Sequence, residues 1–366
     1  MSRAAVWLIV SVALLFSVGL LMVFNTTAAE IIDRSLTTST HTALFKQIGY
    51  SFVGLCGGLF VYRWGYENLI RYSYPLLMGA TLLLVLVFVP GIGMKINGAR
   101  RWLGFLGVPI GQPSESIKLL LPIAYIHWYL KQEKPIALTP FLKILGWLFI
   151  PIALILFEPD NGTTCIIFAV LILLFFLSRI RSSYWALPLL TLSLLGGTAA
   201  YQMPHVRDRL QVYWHPELDL RGKGHQPHQA KIAAGSGQLL GRGIGESLQK
   251  LNYLPEARSD YIAAIYAEET GFIGILALIA LYIVLASSGF VIAIRSQDKG
   301  AFLLAATLTF LISIQAFLNL GVVSGLLPSK GMTLPYFSQG GSSLIVNIIT
   351  LFILLDISRK QLCLKY

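Results

Sequence analysis

The sequence has little charge and little cysteine for its length. Asp, Glu, Lys and Arg make up 12% of its 366 residues, about half the share that a soluble domain usually carries. So few charged groups cannot cover a globule of this size in water, which argues against a soluble enzyme or a disordered chain. The three cysteines, Cys56, Cys165 and Cys363, lie far apart without CxxC or CxxH spacing, so they indicate neither disulfides nor a zinc site.

Familiar catalytic motifs are missing as well. The sequence contains no P-loop, no GxSxG and no HExxH. His225 and His228 have HxxH spacing, but without a third ligand this is a weak zinc signal, and we predict no metal site from it.

Long apolar runs are what the sequence has instead. Residues of the hydrophobic set make up 55% of the chain, and a membrane-spanning helix needs about 20 mostly apolar residues. We therefore predict an all-α integral membrane protein in which residues 1–366 form a single polytopic membrane domain of about ten transmembrane helices. The predicted spans are 5–24, 47–65, 74–92, 111–130, 139–157, 161–178, 184–202, 261–293, 301–323 and 340–357.

The distribution of Lys and Arg predicts the orientation. The short loops on one side hold thirteen of these residues and those on the other side hold six. The positive-inside rule then places both termini in the cytoplasm. The net charge of +11 follows from such anchors, so we expect no nucleic-acid partner.

One extracytoplasmic loop is much larger than the others. Residues 203–260, between the seventh and eighth spans, are polar, contain eight Lys or Arg residues and are glycine-rich near their end. Anchoring does not require cations on the outer side. We therefore expect a site for an anionic ligand at the outer face.

A charged pair begins the fourth span. Arg101 precedes it, Pro113 suits the first helical turn, and Glu115 and Lys118 are three residues apart on one helix face. Charges inside a membrane are costly unless they are paired or functional. Two interpretations stay open, an ion pair that ties helices together and a cation held for a phosphate and oriented by Glu115.

Carboxylates mark two further positions. Glu158 and Asp160 lie in a short outer turn and suit a metal, acid–base chemistry or, for Asp160, an N-cap of the next helix. Asp260 stands where the large loop meets the eighth span, either as an N-cap or as a chemical group. We interpret Glu268 and Glu269, within that span, as interior structural partners.

The stretch before the last span is broken by Pro328, Gly331 and Pro335. Irregular backbone at membrane depth is tolerated where it is buried or lines a cavity. Lys330 and the turn Ser338–Ser343 are therefore candidates for a cavity wall, and a plain loop is the alternative.

Four blocks of sequence resemble one family. They are NGARRWLGF…QPSESIKL, EPDNGT, GSGQLLGRGIGESLQKLNYLPEARSDYIAAIYAEETGFIG and GVVSGLLPSKGMTLPYFSQGGSS, in order between residues 97 and 343. Together they resemble the SEDS proteins (shape, elongation, division and sporulation), and the division and sporulation members more than the elongation member. The chain departs from the family at Gln339, where Tyr is usual, at Asn161, where Leu is common, and at Ala257–Ser259.

The resemblance implies a peptidoglycan glycosyltransferase of the bacterial cytoplasmic (inner) membrane that polymerises lipid II in cell division. It implies that Asp260 is catalytic and that Arg101, Glu115 and Lys118 matter for activity. We add Arg242, Lys250 and Lys330 as candidate substrate-binding cations, because the leaving pyrophosphate needs positive charge.

The implied partners, besides lipid II and membrane lipids, are a class B penicillin-binding protein (a transpeptidase) and other division proteins. A divalent cation, Mg²⁺ or Mn²⁺, stays open as a cofactor. The alternative functions are a flippase or transporter of a lipid-linked precursor and a membrane scaffold.

Overall fold

The computed structural model of the protein describes residues 2–34, 41–96, 99–105, 108–202, 213, 224–251, 254, 257–328 and 331–363. Helices predominate among them. In chain order they are α1 (Arg3–Arg34), α2 (Thr42–Trp64), α3 (Tyr66–Arg71), α4 (Ser73–Leu86), α5 (Pro113–Leu130), α6 (Leu138–Phe157), α7 (Asn161–Leu177), α8 (Ser182–Gln202), α9 (His225–Ser236), α10 (Ile262–Ile294), α11 (Lys299–Val323) and α12 (Gly341–Cys363).

Each of the ten predicted spans coincides with one of these helices. Six of the described helices, α1, α2, α6, α10, α11 and α12, are long and apolar enough to cross a membrane, and α4 and α7 are shorter apolar helices. A helix of 20 residues such as α6 is about 30 Å long, the thickness of the hydrocarbon core. The prediction of an all-α membrane protein of about ten helices is confirmed.

Helix α5 lies at the centre of the bundle. It contacts α4, α6, α7, α11 and α12, and its buried residues cover every side of the helix. A helix buried all round belongs in the interior. The polar residues of its first turns, Glu115 and Lys118, are therefore held inside the protein.

The start of α1 and the last turns of α12 lie at the same end of the bundle. The hydroxyl groups of Ser2, just before α1, and Ser358, near the end of α12, are 2.7 Å apart. This agrees with the even number of spans.

A small antiparallel sheet lies at the opposite end, between α4 and α5. Its strands are β1 (Gly93–Ile96), β2 (Ala99–Phe105) and β3 (Val108–Gly111), in the order β1-β2-β3. We did not predict these strands. The sequence does contain a signal for them, because Asn97–Gly98 is the pair most typical of a two-residue hairpin.

Part of the large outer loop is laid against α10. We call residues 237–251 the strap. Gly271 interrupts α10 with φ 68° and ψ −165°, a conformation open to glycine. The amides of Phe272 and Ile273 donate to carbonyls of the strap at Gln238 (2.9 Å) and Leu239 (3.3 Å). The strap thus replaces hydrogen bonds that the interrupted helix lacks.

The strap and α10 approach so closely that side chains are excluded between them. A Cβ added to Gly241 would lie 2.1 Å from the carbonyl oxygen of Glu269. The strap amides of Arg242 and Gly243 donate to the carbonyls of Glu268 and Glu269. Of the predicted loop 203–260, the structure describes α9, the strap and a few further residues, and positions 203–212 and 214–223 lie outside the described residues.

Candidate active site

A polar cavity of about 370 Å³ opens at the end of the bundle opposite the start of α1 and the end of α12. Five parts of the chain meet around it: strand β2, the start of α5, the turn before α7, the segment before α10, and α11 together with residues 331–343. Its charged lining residues among those described are Arg101, Glu115, Lys118, Asp160, Arg258 and Asp260. Three cations face three carboxylates, so the formal charge of this part of the lining is zero.

Lys118 is buried within this wall. Its side chain is 1% exposed, and Nζ lies 2.6 Å from Oε2 of Glu115 and donates to Oε1 of Gln315 at 2.7 Å. The predicted pairing of Glu115 with Lys118 on one helix face is confirmed. An ammonium group has three donors, and these two contacts use two of them among the described residues.

Asp260 lies half-buried on the cavity wall. Helix α10 begins at Ile262 and its N-cap is Tyr261, so Asp260 precedes the cap by one residue. Its Oδ2 faces Gly331, where an added Cβ would lie 3.2 Å away. The carbonyl of Asp260 accepts a hydrogen bond of 2.9 Å from Nδ2 of Asn319 on α11.

Asp160 acts as the predicted N-cap of α7. Its Oδ1 accepts from the backbone amide of Thr163 at 3.2 Å, which confirms that interpretation. Its Oδ2 accepts from Thr163 Oγ1 (2.9 Å), Gln112 Nε2 (3.0 Å) and Ser114 Oγ (3.3 Å). The carboxylate is thus engaged by protein donors while it lines the cavity.

Arg101 fixes the turn before α7. From strand β2 its Nε donates to the carbonyl of Glu158 (3.0 Å) and its Nη2 to the carbonyl of Pro159 (2.7 Å). Guanidinium has five N–H donors in a planar fork, so Arg101 can hold the turn and still present donors to the cavity that it lines.

Glu158 is buried in the same turn, and neither carboxyl oxygen has a hydrogen-bond partner among the described residues. Burial raises the pKa of Glu158 from its usual value near 4.5 to about 8, the carboxylate of Asp160 adds to the rise, and Arg101 opposes it. The protonated form of Glu158 is therefore more stable than the ionised form at neutral pH, because a buried carboxylate without a hydrogen-bond partner is strongly disfavoured.

Two predicted substrate-binding cations are placed away from this cavity. Lys250 lies in the strap, buried, with Nζ bonded to Glu269 Oε1 (2.9 Å), Asn25 Oδ1 (2.9 Å) and the carbonyl of Gly245 (2.5 Å). Nε of Arg242 is 3.7 Å from Oε1 of Glu268. Neither side chain lines the polar cavity, because the strap packs against α10 and α1. Lys330, the third such candidate, lies outside the described residues.

Glu268 and Glu269 are the interior structural partners that the sequence predicts. Glu268 accepts from Ser247 Oγ (2.5 Å) and from the backbone amides of Leu248 and Gln249. Both oxygens of Glu269 accept from Asn25 Nδ2, at 2.8 and 2.6 Å. These bonds tie the strap to α10 and α1.

Gln315, Asn319 and Thr333 are polar groups of the site that the sequence analysis missed. The amides of Gln315 and Asn319 project from α11, otherwise a strongly apolar helix, four residues apart. Two amide residues one turn apart in an apolar run are a signal for a polar interior site, and this spacing is visible in the sequence.

The carboxylates of the described cavity lining do not form a metal site. Among the described residues no group of three or more His, Cys, Asp or Glu is placed to hold an ion. Glu115 is paired with Lys118, and Asp160 is engaged by four donors. This arrangement does not fit a resident divalent cation.

Two apolar grooves lie elsewhere on the bundle. One of about 570 Å³ runs between α10 and α11, and one of about 460 Å³ lies between α4 and α6. Both are lined almost wholly by apolar side chains, which suits hydrocarbon chains.

Comparison with known proteins assigns the family. The sequence model of the FtsW/RodA/SpoVE family of cell cycle proteins matches residues 5–362. A probable peptidoglycan glycosyltransferase FtsW from Legionella pneumophila is 37% identical over 97% of this chain and 91% of that protein. Stage V sporulation protein E of Bacillus subtilis is 35% identical over 96% of each chain.

Solved structures agree with the sequence relatives. A chain from a peptidoglycan synthase complex, described for its structural coordination of polymerization and crosslinking, superposes with a TM-score of 0.77 at 26% identity over 97% of both chains. The rod shape determining protein RodA of Thermus thermophilus gives 0.70 at 25% identity over 97% of this chain and 96% of that one.

The family match covers nearly the whole chain, and the helices suit a bilayer. The chain therefore belongs to the FtsW/RodA/SpoVE family, the SEDS proteins, as a multi-pass protein of the bacterial inner membrane.

Proposed function

We propose that this chain is a peptidoglycan glycosyltransferase of cell division that polymerises lipid II at the polar cavity. The 4-hydroxyl of the acceptor GlcNAc attacks the anomeric carbon of the donor MurNAc, and undecaprenyl pyrophosphate leaves. An α-linked donor gives a β-linked product, so one inverting displacement is sufficient. The proposal is supported by relatives named peptidoglycan glycosyltransferase.

One observation supports the assignment of this reaction to particular residues. The cavity brings Asp260 into the same wall as Arg101 and Lys118 although 142 residues separate Lys118 from Asp260 in the sequence (260 − 118). An inverting transfer needs a base on the face opposite the leaving group, and it needs cations for the charge that develops on that group. The cavity lining supplies both kinds of group.

Asp260 is the proposed base. It removes the proton of the attacking hydroxyl as the new glycosidic bond forms. The diphosphate departs as an anion and needs no strong acid. The remaining donor of Lys118 and the free side of the Arg101 fork stabilise that anion, and Glu115 holds Lys118 in place.

The hydrocarbon tail explains why a sugar transferase is embedded in the membrane. The tail of lipid II stays in the bilayer while its sugars reach the outer cavity. The grooves between α10 and α11 and between α4 and α6 are the described surfaces that fit such a chain.

The structural relative supports the proposal of a crosslinking partner. That chain comes from a complex in which polymerization and crosslinking are coordinated. We propose that this protein works with a class B penicillin-binding protein, which crosslinks the new glycan, and with other division proteins.

The decisive experiment incubates the purified protein, alone and with its transpeptidase partner, with lipid II and separates the products on a gel. We expect glycan polymer from the wild type and a loss of about 10²- to 10⁴-fold with Asp260→Asn, the range for a general base. Asp298→Asn is the matched control, because Asp298 caps α11 at the opposite end of the bundle through the amide of Ala301. Normal polymerisation by Asp260→Asn excludes the base, and transbilayer movement of lipid II without polymer favours the flippase alternative.

A further inference from the structure

Helix α11 carries two buried amides at the cavity, Gln315 in its lining and Asn319 behind it, bonded to the backbone of Asp260 and Met332. Gln315 and Asn319 are each 2% exposed and lie one helical turn apart, on the same side of α11. Both donate to backbone carbonyls of one short segment that faces Asp260, Gln315 to Thr333 at 2.9 Å and Asn319 to Met332 at 2.6 Å. The two amides therefore bind the carbonyl groups of two consecutive residues.

Each amide also holds one of the groups to which the mechanism assigns chemistry. Oε1 of Gln315 accepts from Nζ of Lys118 at 2.7 Å, and Nδ2 of Asn319 donates to the carbonyl of Asp260 at 2.9 Å. Lys118 is on α5 and Asp260 precedes α10, so a single helix contacts both the cation and the backbone that carries the carboxylate.

The chemistry of these contacts requires amides. Lys118 can only donate and a backbone carbonyl can only accept, so Gln315 must offer an acceptor and a donor at once. A carboxylate at that position would face the Thr333 carbonyl without a proton, and an apolar side chain would serve neither partner. At Asn319 one NH₂ group serves two carbonyls, which no acidic or apolar side chain can do.

We propose that Gln315 and Asn319 are positioning residues that hold Lys118 and Asp260 at a fixed separation through the Met332–Thr333 segment. This inference rests on the function proposed above. Bonds on both sides of the attacked carbon must be made and broken in one step, and a misplacement of about 1 Å can cost about 100-fold in rate. The two amides prevent such a displacement through their hydrogen bonds to Lys118, to Asp260 and to the Met332–Thr333 segment.

The test compares Gln315→Met and Asn319→Leu with a control that removes an equivalent contact elsewhere. Nε2 of Gln361 also donates to two acceptors on another part of the chain, the carbonyl of Ile292 near the end of α10 and Oγ of Ser296 just after it, both at 2.6 Å, but at the cytoplasmic end. We expect kcat for lipid II polymerisation to fall about 10- to 100-fold in both site variants while KM stays within about threefold. Gln361→Met should keep kcat, with a thermal midpoint shifted as much as in the site variants.

A double-mutant cycle isolates the action of Gln315 on Lys118. If Gln315 acts through Lys118, Gln315→Met causes no further loss in the Lys118→Ala background. Multiplicative losses, or site variants no slower than Gln361→Met, overturn the inference. Its failure differs from failure of the proposed function, because the latter appears as a wild type that makes no polymer or as an active Asp260→Asn variant, whatever the amides do.

Discussion

Two buried lysine–glutamate pairs lie in the outer half of the molecule, Lys118 with Glu115 and Lys250 with Glu269, and they differ in their surroundings. Lys250 and Glu269 are closed off between the strap, α10 and α1, and all three donors of Lys250 have protein acceptors. Lys118 and Glu115 border the polar cavity, and two donors of Lys118 have acceptors among the described residues. A lysine whose three N–H donors all have protein acceptors stabilises the fold. A lysine with two such acceptors among the described residues can also bind a ligand.

The comparison also explains why burial and charge do not identify a functional site by themselves. Both lysines are buried and both are paired. A buried ion pair is weak evidence for either stability or function. What distinguishes the Lys118 pair is an opening beside it and a second carboxylate, Asp260, across that opening.

The largest effect should come from breaking the enclosed Lys250–Glu269 pair. Lys250→Met leaves Glu269 buried without its cation, which typically destabilises a protein by about 3–5 kcal/mol. We expect a large drop in the thermal midpoint of the purified protein in detergent. The double variant Lys250→Met with Glu269→Gln should recover most of the stability, since no unpaired charge remains. A single variant as stable as the wild type would remove the contrast between the two pairs.

For the Lys118–Glu115 pair beside the cavity, by contrast, a second substitution should not restore what the first one removes. Lys118→Met should lower kcat about 100-fold, about 2.7 kcal/mol of transition-state stabilisation, as for other lost donors to a developing anion. Adding Glu115→Gln removes the unpaired charge but does not replace the cation, so activity should not return. Recovery of polymerisation in this double variant would make the pair structural, like Lys250–Glu269.

A pH experiment examines the buried carboxyl group of Glu158 in the turn before α7. The pKa of Glu158 is raised from near 4.5 to about 8 in the folded state, so the folded protein binds this proton more tightly than the unfolded chain does. The stabilisation is fully present below pH 4.5 and is lost as the pH rises toward 8. We expect the wild-type thermal midpoint to fall over that window relative to Glu158→Gln, in which this dependence is absent. Parallel pH profiles of the two proteins would contradict the burial of an unpaired carboxyl.

The smallest effect concerns the space in front of Asp260. A Cβ at Gly331 would lie 3.2 Å from Oδ2 of Asp260, whereas a Cβ at Gly235 in α9 meets nothing within 4 Å. Gly331→Ala should displace the carboxylate by a few tenths of an ångström and lower kcat several-fold, a fraction of the loss expected for a shift of about 1 Å. Gly235→Ala, the control, should leave kcat unchanged. Equal kcat values for the two variants would contradict a position of the Asp260 carboxylate next to Gly331.

The helices were predictable because their signal is local. Each span is a continuous apolar run, and Asp160 stands where a cap is needed, so both predictions required only neighbouring residues. The cavity was partly predictable, since charges at the outer ends of spans have few structural explanations. The resemblance to the family was needed to select Asp260 among the carboxylates.

The remainder depends on contacts that sequence periodicity does not contain. Lys250 meets Asn25 across 225 residues, and the strap reaches α10 through backbone atoms whose pairing has no side-chain signature. Lys250 and Lys118 therefore look equivalent until the fold shows which is enclosed. The interruption at Gly271 is similarly hidden, because one glycine in a long apolar run is compatible with a continuous helix.

The seam between the strap and α10 gives the protein a natural reporter. The amides of Phe272 and Ile273 are protected by carbonyls of the strap, so their exchange with deuterium requires the strap to lift, while amides further along α10 exchange only when the helix itself opens. Slower exchange at these two positions when a partner binds would reveal that the partner clamps the loop, at peptide resolution and without any label on the protein.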